Sequence, residues 1–281
     1  MTDFNEFVPK VHFELIPIDE LVCDQEYQRT LSAAHIQRIV DNFDVYQINP
    51  VKVSRRDGLN RVFNGQHTIE AVAKKSGSRK TPVWCMIYDD LTYEEEAYIF
   101  ATQQKYNKPL LPYEIFTAGV EAGKSDELII RDLVKAYGLV IQGTKKPGGI
   151  CAVSTLVFIY QNYGFHVLDR TLRLAIGTWE GDPISLSAAI LRGIALLVVS
   201  YGENLKDETF KEKIGAFSAR DISRTAKERR RGTLGFAETM LDEYNNRKKN
   251  GLQRTKLLET MSEIRKNGYV NLYEAGNTDD G

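Results

Sequence analysis

The chain of 281 residues is 42% hydrophobic and 27% charged, an ordinary water-soluble composition with room for two domains. Its formal net charge of −1 argues against a polybasic, histone-like protein. Three widely spaced cysteines, Cys23, Cys85 and Cys151, argue against a disulfide framework or a zinc site and fit a reducing cytoplasm.

The polar, acidic N-terminus carries no visible signal peptide. Residues 13–18 alternate as a strand. Ser32 is placed to cap a helix with Ile36, Ile39, Val40 and Phe43 on one face. Residues 51–54 and 61–64 read as a hairpin around Asp57-Gly58. The stretch from Arg61 to Val72 then reads as a strand, a glycine turn and a helix that buries Ile69, Val72 and Ala73 and stops near Gly77. An apolar strand follows at 82–88. Thr92 and Glu95 have capping-box spacing and open a helix to about Gln104. Another helix begins near Pro112 and ends by Gly123.

After Ser125 the pattern becomes helical, at 126–137, 151–163, 168–179, 186–201 and 232–246. The longest apolar run, 184–201, contains Arg192, Gly193 and three serines, so it is predicted as a buried helix rather than a membrane span. The basic segment 143–149 reads as a flexible loop and lacks the Gly-Lys-Ser/Thr ending of a P-loop. Residues 126–138 could open a helix-turn-helix, but the loop after them is too long for a tight turn. The expected organisation is an α+β domain at 11–123, an all-α domain at 124–267 and a flexible tail at 268–281.

Residues 218–266 hold 13 Lys/Arg and 7 Asp/Glu, a local excess of +6 against −7 elsewhere. Arg229, Arg230, Arg231, Lys248 and Lys249 are the nucleic-acid candidates there, suited to phosphate contact. A solvated charged helix is the plain alternative. Glu94, Glu95 and Glu96 read as the acidic first turn of a helix, not as a metal cluster. No Ser/His/Asp order or His/Cys metal spacing is present, and the metal expectation is none.

The glycine turn carries the chemistry. A helix N-terminus leaves backbone N–H groups without acceptors and concentrates about half a positive charge, so an anion is its natural guest. Gly65 permits a sharp turn and close approach of a ligand. Gln66 and Thr68 are hydrogen-bonding candidates. His67 is the candidate acid/base or phosphate donor, with Glu70 placed to orient it; a backbone-satisfying histidine and a solvent-exposed glutamate are the alternatives. Arg29, in a loop after Tyr27-Gln28, is a phosphate candidate or a surface salt bridge.

In order, the chain shows Tyr27-Gln28-Arg29, Asn49-Pro50-Val51-Lys52-Val53, the Asp57-Gly58 hairpin, Asn64-Gly65-Gln66-His67 with Ala71, and Pro82-Val83. It then shows Lys108-Pro109-Leu110-Leu111-Pro112-Tyr113-Glu114. From Val11 to Ala118 this order resembles the N-terminal domain of ParB, the chromosome-partition protein, and the wider ParB/sulfiredoxin-like superfamily. The resemblance implies an α+β domain whose glycine turn holds a nucleotide phosphate. Partition proteins read Gly-Glu-Arg-Arg there, whereas this chain reads Gly65-Gln66-His67-Thr68. It is similar to a branch with Asp-Gly-Gln-His-Arg that includes regulators of DNA phosphorothioate modification and many phage and mobile-element proteins. The partition motif Glu-Asn-x-x-Arg falls on Gln103, Gln104 and Asn107, amides where a metal-binding carboxylate would stand. The turn has no cysteine for sulfiredoxin chemistry.

The resemblance implies a DNA-associated protein acting in partition, regulation or mobile-element maintenance. Its cofactor would be a nucleoside triphosphate with magnesium. DNA and a nucleotide would be its partners, with scope for a homodimer and no membrane. The implied nucleotide residues are Arg29, Gly65, Gln66, His67, Thr68, Gln103 and Gln104. Two alternatives stand beside it: a nucleotide-dependent enzyme (nucleotidase, kinase or nuclease) using the same turn, and a non-catalytic interaction scaffold.

Overall fold

The computed structural model describes residues 8–23, 26–89, 91–103, 105, 109–144, 146–229, 232–247 and 250–268. The expected tail beyond 268 lies outside them. The chain folds as two compact units, 1–109 and 110–281. The division falls ahead of the helix at 112–121 rather than after residue 123. Phe116 of that helix joins the same buried cluster as Ile130 and Leu133.

In the first unit, strands β1 (His12–Pro17), β2 (Leu21–Val22), β3 (Val51–Arg56), β4 (Leu59–Asn64) and β5 (Pro82–Tyr88) form one mixed sheet in the order β1-β5-β3-β4-β2. The helices are α1 (Ala33–Asp41), α2 (Gln66–Ser76) and α3 (Tyr93–Gln103). The hairpin between β3 and β4 turns where expected: Asp57 and Gly58 both have positive φ, 56° and 72°, as a two-residue turn of matching twist requires. The side-chain period of two then sorts the sheet. Val51 and Val53 pair with Cys85 and Ile87, and all four are buried in one cluster with Ile69 and Val72 of α2. Lys52, paired with Met86 and Asn64, points to the opposite face.

The second unit comprises α4 (Pro112–Glu121), α5 (Ser125–Ala136), α6 (Val153–Trp179), α7 (Ala188–Tyr201), α8 (Asp207–Gly215), α9 (Ala219–Arg229), α10 (Thr233–Asn245) and α11 (Arg254–Asn267). The apolar run at 184–201 is the central helix α7, buried along most of its length. No described helix is long and apolar enough to cross a membrane. The two helices expected at 151–163 and 168–179 are one helix, α6, interrupted at Gly164, whose φ of 83° and ψ of 174° are not helical. The expectation of an entirely α-helical second half is corrected by a short parallel pair, β6 (Val140–Ile141) with β7 (Gly149–Ile150), which brackets the supposed flexible loop.

At one edge of the sheet, Glu14 of β1 accepts two hydrogen bonds from Arg55 of β3, at 3.1 and 2.6 Å. This Arg55 fork, with His12 adding to it, holds the Glu14 carboxyl down at about 2, against an ordinary 4.5. A carboxyl depressed by folding stabilises the native state above its unfolded pKa, and that contribution drains away as pH falls from about 4.5 toward 2. Glu14→Gln removes it. The urea midpoints of wild type and variant should therefore differ at pH 6 and converge toward pH 2; a constant gap would contradict the pairing.

Candidate ligand site at the glycine turn

Gly65 is the N-cap of α2, with φ 111° and no side chain to cap the helix. A Cβ there would lie 3.3 Å from Cα and both methyls of Val51, in a conformation that side chains rarely adopt. The first-turn N–H groups of Gln66, His67 and Thr68 have no acceptor within the helix, and all three residues line the space beside the turn. That space is a cavity of about 630 Å³ whose wall includes Arg29, Ser32, His35, Asn49, Asn64 and the whole turn from Gly65 to Thr68. A neighbouring cavity of about 530 Å³ shares Asn49, Asn64, Gly65 and Thr68 and adds Lys52 and Gln103.

The structure thus brings Arg29, Gly65, Gln66, His67, Thr68 and Gln103 around one turn. Gln103 arrives through Asn64, whose amide donates to its side-chain oxygen at 3.1 Å. Gln104 lies outside the described residues, as does Asn107.

Gln66 and His67 do something other than face the cavity as phosphate donors. The Gln66 amide donates to the backbone carbonyl of Arg29, and Nε2 of His67 accepts the backbone N–H of Ser32 at 3.1 Å. The Ser32 hydroxyl in turn accepts the N–H of His35, capping α1 as expected. Both turn side chains therefore fasten the 26–32 loop over the turn. Because Nε2 accepts, His67 is neutral there and only Nδ1 is left to donate. Burial lowers its pKa, and the neighbouring His35 and Arg29 push the same way.

The expected orienting role of Glu70 is corrected. Its carboxylate is held by Arg79 at 3.0 and 3.1 Å, and it lines neither cavity. The ring of His35, 5.1 Å from that of His67 in an edge contact, and Ser32 orient the histidine instead.

The other end of the loop is fixed from beneath. The Gln28 amide donates to the Val62 carbonyl, and Tyr27 Oη donates to Glu96 at 3.2 Å. Glu96 is fully buried and also accepts from Arg56 at 3.2 Å. Burial first, and Glu96 second, raise the Tyr27 pKa, so the phenol stays protonated. Glu96 does belong to the acidic first turn of α3, as expected, but it alone of the three glutamates is buried. Its place in an apolar helix face, one turn before Phe100, was the available signal for an inward carboxylate.

Electrostatically, Arg29 is exposed and no ion pair engages it among the described residues. No carboxylate lines either cavity among the described residues, and no group of three or more metal-ligating side chains forms among them. Neutral amides and hydroxyls do not fit a magnesium ion held by protein ligands.

Of the basic candidates in the second unit, Arg229 is tied to Asp242, while Arg230, Arg231, Lys248 and Lys249 lie outside the described residues. Lys227, the first residue of the basic run 227–231, shares one exposed stripe of α9 with Arg220 and with Arg224, itself paired with Asp221, opposite the buried Ala219, Ile222 and Ala226.

A family model described as a family of unknown function, DUF6551, matches residues 22–261. The chain belongs to that family. No curated protein matches it. Among solved structures it is similar to the C-terminally truncated chromosome-partitioning protein ParB from Caulobacter crescentus, crystallised with CTP-γ-S. The identity is 12% and the TM-score 0.38, over 66% of this chain and 99% of that one. A likeness so slight places no residue. The glycine turn and the shared floor of its two cavities fall inside the DUF6551 match.

The neutral state of His67 has a direct readout. In an NMR titration its ring should titrate below 6.5, and Arg29→Met and His35→Asn should each move the midpoint upward. A wild-type midpoint at or above 6.5 would contradict the contact with Ser32.

Proposed function

We propose that the first unit binds a phosphate-bearing ligand of the nucleotide class at the Gly65 turn. The observation that carries this reading is the unpaired Arg29 guanidinium beside the open first turn of α2, in a cavity without a carboxylate among the described residues. Asn49, Asn64 and Thr68 supply neutral hydrogen-bonding groups for the rest of the ligand. No described lining residue is arranged as an activated nucleophile or a carboxylate base, and the histidine of the turn is occupied by Ser32. The geometry therefore supports binding ahead of turnover, which makes a nucleotide-dependent enzyme the second choice.

The test is a thermal-shift screen of nucleoside mono-, di- and triphosphates, with magnesium and with EDTA. A ligand at a hundred times its Kd should stabilise the native state by about 2.7 kcal/mol. Arg29→Ala should abolish most of that shift while leaving the unliganded melting temperature near wild type. If no nucleotide moves the transition, the reading fails.

A second reading, association with DNA, is favoured by the second unit. Helices α8 and α9 are joined only by residues 216–218, a connection of helix-turn-helix length, and α9 presents the stripe of Arg220, Arg224 and Lys227. Together with the order of motifs that resembles ParB, this supports a protein of partition or mobile-element maintenance. Duplex binding should weaken as salt rises, and Arg220→Ala and Lys227→Ala should each lower the slope of log K on log salt by about one. Binding that is absent at low ionic strength, or indifferent to salt, would remove DNA from the account.

A further inference from the structure

The two cavities at the glycine turn repeat one chemical set. They meet on a shared floor of Asn49, Asn64, Gly65 and Thr68. On one side stand Arg29, Phe100 and Gln28; on the other stand Lys52, Phe13 and Gln103. Each side thus offers a cation, a phenyl ring and glutamine side chains; in the first cavity the Gln28 and Gln66 amide groups already donate to the Val62 and Arg29 carbonyls and keep their side-chain oxygens as acceptors. A ligand with a single recognition group would use one side and leave the other without purpose.

We propose that the two cavities form one bipartite site for a phosphodiester-linked dinucleotide, with the bridging phosphate on the shared floor and one nucleoside in each cavity. The proposal rests on the reading of the turn as a phosphate site and extends it to the size and symmetry of the ligand. Each cavity, at about 630 and 530 Å³, is large enough for a nucleoside. Phenyl rings provide stacking faces that accept any base, and amides can bond base edges.

Charge points the same way. A diester carries one negative charge, which helix N–H groups and neutral amides can hold. A triphosphate would bring several more, and the described walls offer no carboxylate to hold a counter-cation. Arg29 lines one cavity and Lys52 the other, suited to the flanking phosphates of a strand or to the second diester of a cyclic molecule. Lys52 has no ion pair among the described residues, and burial lowers its pKa. An anion beside it would offset that.

The test is calorimetry in EDTA on the full chain with three probes: thymidine monophosphate, a 5′-phosphorylated deoxydinucleotide pool of all base combinations, and cyclic di-AMP. The linear pool or the cyclic dinucleotide should bind at least about tenfold tighter than the mononucleotide, and whichever does so names the source of the ligand. Lys52→Met, checked for folding by circular dichroism, should weaken the dinucleotide about tenfold more than the mononucleotide. If the mononucleotide binds through Arg29 and neither dinucleotide binds more tightly, the bipartite site is wrong and the phosphate site stands. If no probe binds, both fall.

Discussion

The structure of the first unit depends on a pair of hydrogen bonds that close a loop over a helix end. Gln66 reaches up to the carbonyl of Arg29 and His67 to the N–H of Ser32, so the first turn of α2 is roofed by residues far from it in sequence. Each such bond contributes only about 0.5–1.5 kcal/mol net. Their effect is larger than that figure suggests, because they decide whether a cavity exists. Without them the donors of the helix N-terminus would face bulk water, where an anion gains little. With them, the same donors line a partly enclosed space beside a guanidinium.

This closure accounts for the letters of the turn. The partition-type motif places a glutamate and two arginines where this chain has Gln66, His67 and Thr68. Here the loop brings Arg29 beside the turn, and Gln66 and His67 hold the loop in place. Tyr27 and Gln28 complete the attachment by bonding to the buried Glu96 and to the Val62 carbonyl. The histidine must stay neutral for this to work, and burial together with His35 and Arg29 keeps it so. Exchanging charged turn residues for clasping ones also leaves a less cationic site, with no carboxylate among the described residues.

Local signals carried much of this into the sequence. The Asp57-Gly58 turn, the Ser32 cap, the Thr92–Glu95 box and the alternation in β3 and β5 are contacts between near neighbours, and each forms as its residue types require. Six of the turn-site candidates gather in space because Gly65 fixes where α2 begins. What stayed hidden was long-range. That His67 would choose Ser32 depends on where the 26–32 loop comes to rest, and that Glu70 would choose Arg79 depends on how the chain turns after α2, neither of which a spacing rule records. Lys52 and Phe13 entered the site only through strand register. Helix α8 gave no signal, and α9 and α11 showed only as the charged helix offered as the alternative for 218–266, because charge outweighs a narrow apolar stripe, such as Ala219, Ile222 and Ala226 in α9.

The closure itself can be observed without knowing the ligand. Amide hydrogen exchange at Ser32, followed by NMR in wild type and in His67→Ala, reports on the bond that holds the loop to the turn. The account predicts a Ser32 amide that is protected in wild type and exchanges freely in the variant, while the amides of β3 and β5 keep their protection. A Ser32 amide that already exchanges freely in wild type would mean that the roof, and the cavity under it, is not a stable part of the fold.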